Sequence, residues 1–113
     1  MINIKVVFLK MLYFADVILP LALDKPYTYA VEKEDYLILK PGFRVAVSLG
    51  KTKIYTGVVI KLHHDQPENY AAKYIEMILE QVPSISIKQI ELWEWISKYY
   101  HCKLGEIMRA ALP

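Results

Sequence analysis

Ser48-Leu49-Gly50-Lys51-Thr52 ends in Gly-Lys-Thr, the tail of a loop whose backbone N–H groups and lysine cradle nucleotide phosphates. Where the complete motif needs a further glycine upstream, the chain has Val45. The following residues alternate as a strand, whereas a phosphate loop opens a helix and holds the phosphate at its N-terminus. The stretch is therefore read as a β-turn. Other chemistry-bearing residues form no catalytic set. The carboxylates lie singly in turns and on helix faces, and no Ser, His and Asp spacing outlines a nucleophilic triad. Asp16 is the one acid inside an apolar strand, and its ordinary reading is an outward-facing residue or a turn cap. His63 and His64 are adjacent, so their rings seldom converge on one ion. Cys102 is the only cysteine, which leaves no internal disulfide framework and no thiolate set for zinc. The expectation is a protein without metal, cofactor or enzymatic centre, from a reducing compartment.

The stronger signal is aromatic. Nine tyrosines occur among 113 residues, and aromatic side chains on a sheet can stack unpaired bases. A Tyr on a half-buried strand is more often a core residue with its hydroxyl at the rim, so composition alone favours the core. Charge limits the alternatives. Against 14 Lys and Arg stand 12 Asp and Glu, a formal net charge of +2, so contacts with phosphates must be few and local.

The elements that must position these residues follow from the hydrophobic pattern. With 55% hydrophobic and 23% charged residues the chain is a folded single domain. The apolar N-terminus is broken by Lys5, Lys10 and Asp16, so neither a spanning helix nor a signal peptide is read there. A soluble, cytoplasmic protein is expected. Strands are expected over residues 13–21, 27–31, 43–47, 54–62 and 74–81. In the second, Tyr27, Tyr29 and Val31 share one face and Thr28 and Ala30 the other. Residues 32–35 read as a charged turn and residues 63–72 as a polar surface loop. Gly57 inside the fourth strand marks a bulge or bend, and Ile75, Met77 and Leu79 alternate in the fifth. After Pro83 the period changes: Ser86 and Gln89 have capping-box spacing, and Ile87, Ile90, Trp93, Ile96 and Tyr100 step as an amphipathic helix. Leu92, Trp95 and Tyr99 widen its apolar stripe enough to demand a second packing partner. A further helix over residues 104–112 stops at Pro113. The fold class is α+β: a small curled antiparallel sheet or OB-like barrel followed by two C-terminal helices.

Several segments, in order, resemble one family, the N-terminal domain of the bacterial primosomal replication-restart helicase, PriA. Ala15-Asp16-Val17-Ile18-Leu19-Pro20-Leu21 with Lys25-Pro26-Tyr27-Thr28-Tyr29 looks like the family's opening strand and aromatic-x-Tyr turn. Lys40-Pro41-Gly42-Phe43-Arg44-Val45-Ala46-Val47 with Gly50-Lys51 is similar to its Gly-x-Arg-Val strand and Gly-Lys turn. Tyr99-Tyr100-His101, Leu104-Gly105-Glu106 and Ala111-Leu112-Pro113 look like its C-terminal pattern.

The resemblance implies an N-terminal extension over residues 1–12 and a 3′-end DNA-binding domain over residues 13–113, a fragment of a longer ATP-dependent 3′–5′ helicase. It implies capture of the 3′-hydroxyl end of the nascent leading strand at stalled forks, with little base preference. Carried over residue by residue, the DNA-binding positions are Tyr27, Thr28, Gly50 and Lys73. The family often has Asp where this chain has Thr28, so a hydroxyl replaces a carboxylate there. Implied partners are fork DNA, the remainder of the helicase, primosome proteins and single-strand-binding protein. The competing expectation is a docking domain whose helix face packs on the helicase body without a 3′-end pocket of its own.

Overall fold

The structure, a computed structural model, describes residues 11–112. Residues 1–10 of the expected extension, and Pro113 as the expected helix stop, lie outside the described residues. Strands β1 (Phe14–Ile18), β2 (Tyr27–Ala30), β3 (Arg44–Leu49), β4 (Lys53–His63) and β5 (Met77–Ile78) form one sheet in the order β2-β1-β4-β3-β5. All four neighbouring pairs are antiparallel. The sheet is curled but not closed. A single parallel bridge between Ala30 and Tyr74 ties edge strand β2 to the segment that leads into β5.

β1 and β4 are apolar on both faces because each face has its own cover. One face carries Ala15, Val17, Val59, Val45, Val47, Phe43 and Tyr29, the main core inside the curl. The other carries Ile18 and Val58 under Ile90, Trp93 and Met108 from the C-terminal helices. Those helices are α2 (Ile87–Tyr100) and α3 (Leu104–Ala111), with α1 (Lys33–Ile38) lying earlier in the chain. The capping box forms as the spacing predicts: the Gln89 N–H donates to Ser86 Oγ and the Ser86 N–H to Gln89 Oε1. His101 ends α2 in the left-handed conformation, with φ of 54°. No helix among the described residues is long and apolar enough to cross a membrane.

Four expectations need correction. The charged run at residues 32–35 does not make a turn but opens α1, a six-residue helix that buries none of its side chains. The bulge is not at Gly57. The β1–β4 register shifts between Asp16, opposite Lys61, and Val17, opposite Val59, so Ile60 is the extra residue. Gly57 answers instead to a close approach, since a Cβ there would lie 2.3 Å from Val17 Cγ1. The fifth strand shrinks to two residues, and its alternation fails: Ile75 and Ile78 pack on the core while Met77 and Leu79 face outward. His63 is the last residue of β4 and not the first of a loop.

Candidate nucleic-acid interface

β2 is an edge strand, and its pairing with β1 sets Asp16 opposite Thr28 and Val17 opposite Tyr27. Asp16, which reads from sequence as an outward-facing strand residue or turn cap, is the hub of a hydrogen-bonded group. Thr28 Oγ1 donates to Asp16 Oδ1 at 2.7 Å, and His63 Nε2 bonds the same oxygen at 2.7 Å. The Asp65 N–H donates to His63 Nδ1 at 3.0 Å. With Nδ1 an acceptor, the ring proton sits on Nε2, so His63 is the donor to Asp16.

The outer edge of β2 is capped by a residue that no sequence motif singles out. Tyr70 accepts the Thr28 backbone N–H on its hydroxyl at 2.9 Å, and its ring stacks on Tyr27 with centroids 4.6 Å apart and planes 25° apart. Tyr27 and Tyr70 are both half-buried. With Asp16, Thr28, Lys25, Pro26 and Asp24 they line an open cleft of about 580 Å³. An aromatic in an otherwise polar loop is the one signal that points to Tyr70.

Tyr29 continues the face of Tyr27 but turns into the core. Its ring is fully buried, and its hydroxyl donates to the Ser48 carbonyl at 2.8 Å. Burial first, then the neighbouring Tyr27 and Tyr70, pushes its pKa up to about 12. Across the cleft, Asp24 is already engaged by Lys103. The hydrogen bond and the charge of that ammonium hold its carboxyl below the usual range.

Gly50 and Lys73 meet each other, though not in the cleft itself. Gly50 makes the β3–β4 turn at φ of +74°, a conformation that favours glycine, with open space where a Cβ would stand. Lys73 Nζ donates to the Gly50 carbonyl at 2.9 Å, and the Lys73 carbonyl accepts the Ala30 N–H at 2.8 Å. An ammonium carries three donors, so this one keeps capacity for a phosphate. Tyr27 and Thr28 thus share the cleft with Asp16 and Tyr70. Gly50 and Lys73 form a second, exposed pair, joined to β2 through the Tyr29–Ser48 and Ala30–Lys73 bonds. The Gly50-Lys51-Thr52 stretch is the tight turn that its context predicts.

The outer face of α2 presents another stack. Trp95 and Tyr99 have centroids 5.0 Å apart and planes 14° apart. Both are exposed, as are Leu92 and Tyr100.

Comparison with known proteins bears on these features. Residues 16–113 match the family described as the 3′ DNA-binding domain (3′BD) of PriA. The Replication restart protein PriA of Rickettsia conorii (strain ATCC VR-613 / Malish 7) is 34% identical over 102 residues, which is 88% of this chain and 15% of that protein. Its counterpart in Rickettsia prowazekii (strain Madrid E) is 33% identical over the same shares. The chain spans about 15% of the length of these relatives.

Proposed function

The chain belongs to the PriA 3′ DNA-binding domain family, and on that premise we propose that its β1–β2 cleft captures the 3′-hydroxyl end of a DNA strand, the nascent leading strand at a stalled fork. The observation that carries this reading is the open cleft in which the Tyr27–Tyr70 stack stands beside the hydrogen-bonding groups of Asp16 and Thr28. A stacking face accepts any base, which accounts for little base preference. Gly50 leaves its turn open to a strand's backbone, and Lys73 supplies a point charge for one phosphodiester. One end needs no long basic stripe, in keeping with the net charge of +2. The domain acts as a binding module without chemistry of its own, and the helicase activity belongs to the remainder of a longer protein.

Anisotropy titrations with fork DNA test this. A fork whose leading-strand 3′ end is free should bind more tightly than one carrying a bulky 3′ adduct. Equal affinities would remove end capture and leave a generic DNA-binding surface. One observation favours a second role for the same domain. The exposed Leu92, Trp95 and Tyr99 face of α2 suits docking on the helicase body.

A further inference from the structure

Resting on that end-capture reading, we propose that the Asp16 carboxylate is a specificity-determining group of the cleft, accepting a hydrogen bond from a free terminal sugar hydroxyl and repelling a terminal phosphate. Asp16 lines the cleft with its side chain 24% exposed, so it is neither sealed in the core nor freely solvated. Two donors from different strands, the Thr28 hydroxyl and His63 Nε2, converge on one oxygen, Oδ1. They fix the carboxylate plane as an orienting shell does. Among the described residues no side chain or backbone group donates to Oδ2. A carboxylate offers about four acceptor positions, and the two bonds on Oδ1 leave those of Oδ2 available.

Among the described residues no Lys or Arg is paired with this carboxylate. His63 accepts the Asp65 N–H at Nδ1 and donates to Asp16 from Nε2. The other carboxylate lining the cleft, Asp24, is paired with Lys103. Lys25 is the cation of the lining and carries its charge on a long mobile stem. A fixed, half-buried carboxylate accepts only from donors. The donor common to every unmodified 3′ nucleotide is its sugar hydroxyl, while base amino groups differ from one nucleotide to the next. A terminal phosphate brings oxygens and negative charge to the same place, where like charges repel.

The test uses oligonucleotides ending in thymidine, which has no exocyclic amino group, with a 3′-hydroxyl, 3′-deoxy or 3′-phosphate terminus. The 113-residue chain should bind the hydroxyl end about tenfold more tightly than the deoxy end, the scale of a hydrogen bond to a charged group. It should bind the phosphate end most weakly. In Asp16→Asn the single amide oxygen stays with Thr28 and His63, which turns the amino group to the cleft as a donor. The hydroxyl advantage should disappear, and the phosphate end should become the tighter ligand. An unchanged order in a folded Asp16→Asn protein would overturn the role of Asp16. Equal binding of hydroxyl and deoxy ends by the unsubstituted chain would overturn it too, while end capture stands if both still exceed a bulky 3′ adduct. Loss of that last difference would overturn end capture itself. A measurement that needs no variant is the Asp16 side-chain carboxyl ¹³C resonance, which should shift with the hydroxyl-ended strand and hold still with the deoxy-ended one. A resonance unmoved by both would sink the proposal.

Discussion

Among the described residues two stacked aromatic pairs face outward, Tyr27–Tyr70 on the β2 edge and Trp95–Tyr99 on α2. Their ring geometries are similar, but their surroundings differ. Tyr70 also accepts the Thr28 N–H, and beside it Thr28 and His63 meet on Asp16. Each polar partner there restricts where a ligand's donors and acceptors can lie. The Trp95–Tyr99 pair stands on an exposed helix face with Leu92 and Tyr100 as its apolar companions. Stacking area therefore does not distinguish a nucleotide site from a protein-docking face; convergent polar groups do.

The largest expected effect separates the two faces of α2. Trp93 is buried against Ile18 and Val58 at 4% exposure, two residues from the exposed Trp95. Trp93→Ala should cost about 3–5 kcal/mol of stability, a large share of the roughly 5–15 kcal/mol of an ordinary domain. Chemical denaturation measures it. A loss below about 1 kcal/mol, the ordinary scale of a single substitution, would mean that the helix layer is not part of the core.

The same contrast explains what is legible in the sequence. Alternation exposes β2 and β3, apolar β-branched runs between turn signals expose β1 and β4, and the Ser86/Gln89 box fixes the start of α2. α1 is hidden because its first turn, Lys33-Glu34-Asp35, is as charged as a loop and its N-cap, Glu32, makes no side-chain bond. β5 lies inside the strand expected over residues 74–81, but its facing is misread because Ile75 and Ile78 both point inward, breaking the period of two. In the site, Tyr27 and Thr28 are reached through the family resemblance. Asp16, His63 and Tyr70 are not, because their bonds join positions 47 and 42 residues apart. Local pattern carries no information about such meetings.

The second effect lies between the two tyrosines of β2. Tyr29 holds its proton up to about 12 against an ordinary 10.0 because it is buried. A folded-state pKa above the unfolded one gives stability that is full below pH about 10 and lost as pH rises toward about 12. Melting temperature should fall across that window, and Tyr29→Phe should flatten the fall. A Tyr29→Phe protein with the same alkaline slope would assign the loss to other groups.

Tyr27→Ala tests the cleft side directly. It should weaken binding to a 3′-hydroxyl oligonucleotide by about 1–3 kcal/mol, and Tyr27→Phe should retain most of the affinity. If Tyr27 serves only as core, Tyr27→Ala should lower the melting temperature without changing the affinity of the protein that remains folded.

Lys73→Ala should act more weakly, because its ammonium reaches one phosphate at most while bonded to Gly50. The slope of log affinity against log salt should flatten by about 0.7 for each single-strand phosphate that Lys73 neutralises. An unchanged slope would make Lys73 a strut for the β3–β4 turn and nothing more.

The smallest expected effect is the one that most sharpens the comparison. Trp95→Ala removes half of the α2 stack from a side chain 55% exposed, so stability should stay within about 0.5 kcal/mol. The hydrogen-bonded group of Asp16, Thr28 and Tyr70 lies at the cleft and not on this face, so DNA affinity of the domain should not change either. Tyr99→Ala should behave alike, because the two rings form one surface. Binding titrations of these variants beside Tyr27→Ala, under the same salt, measure the difference between the two stacks. If Trp95→Ala weakens DNA binding as much as Tyr27→Ala, the strand runs over both stacks and polar convergence is not what separates them. If it leaves DNA binding intact but abolishes association with the helicase body, the two aromatic pairs have divided the domain's work between a nucleotide and a protein.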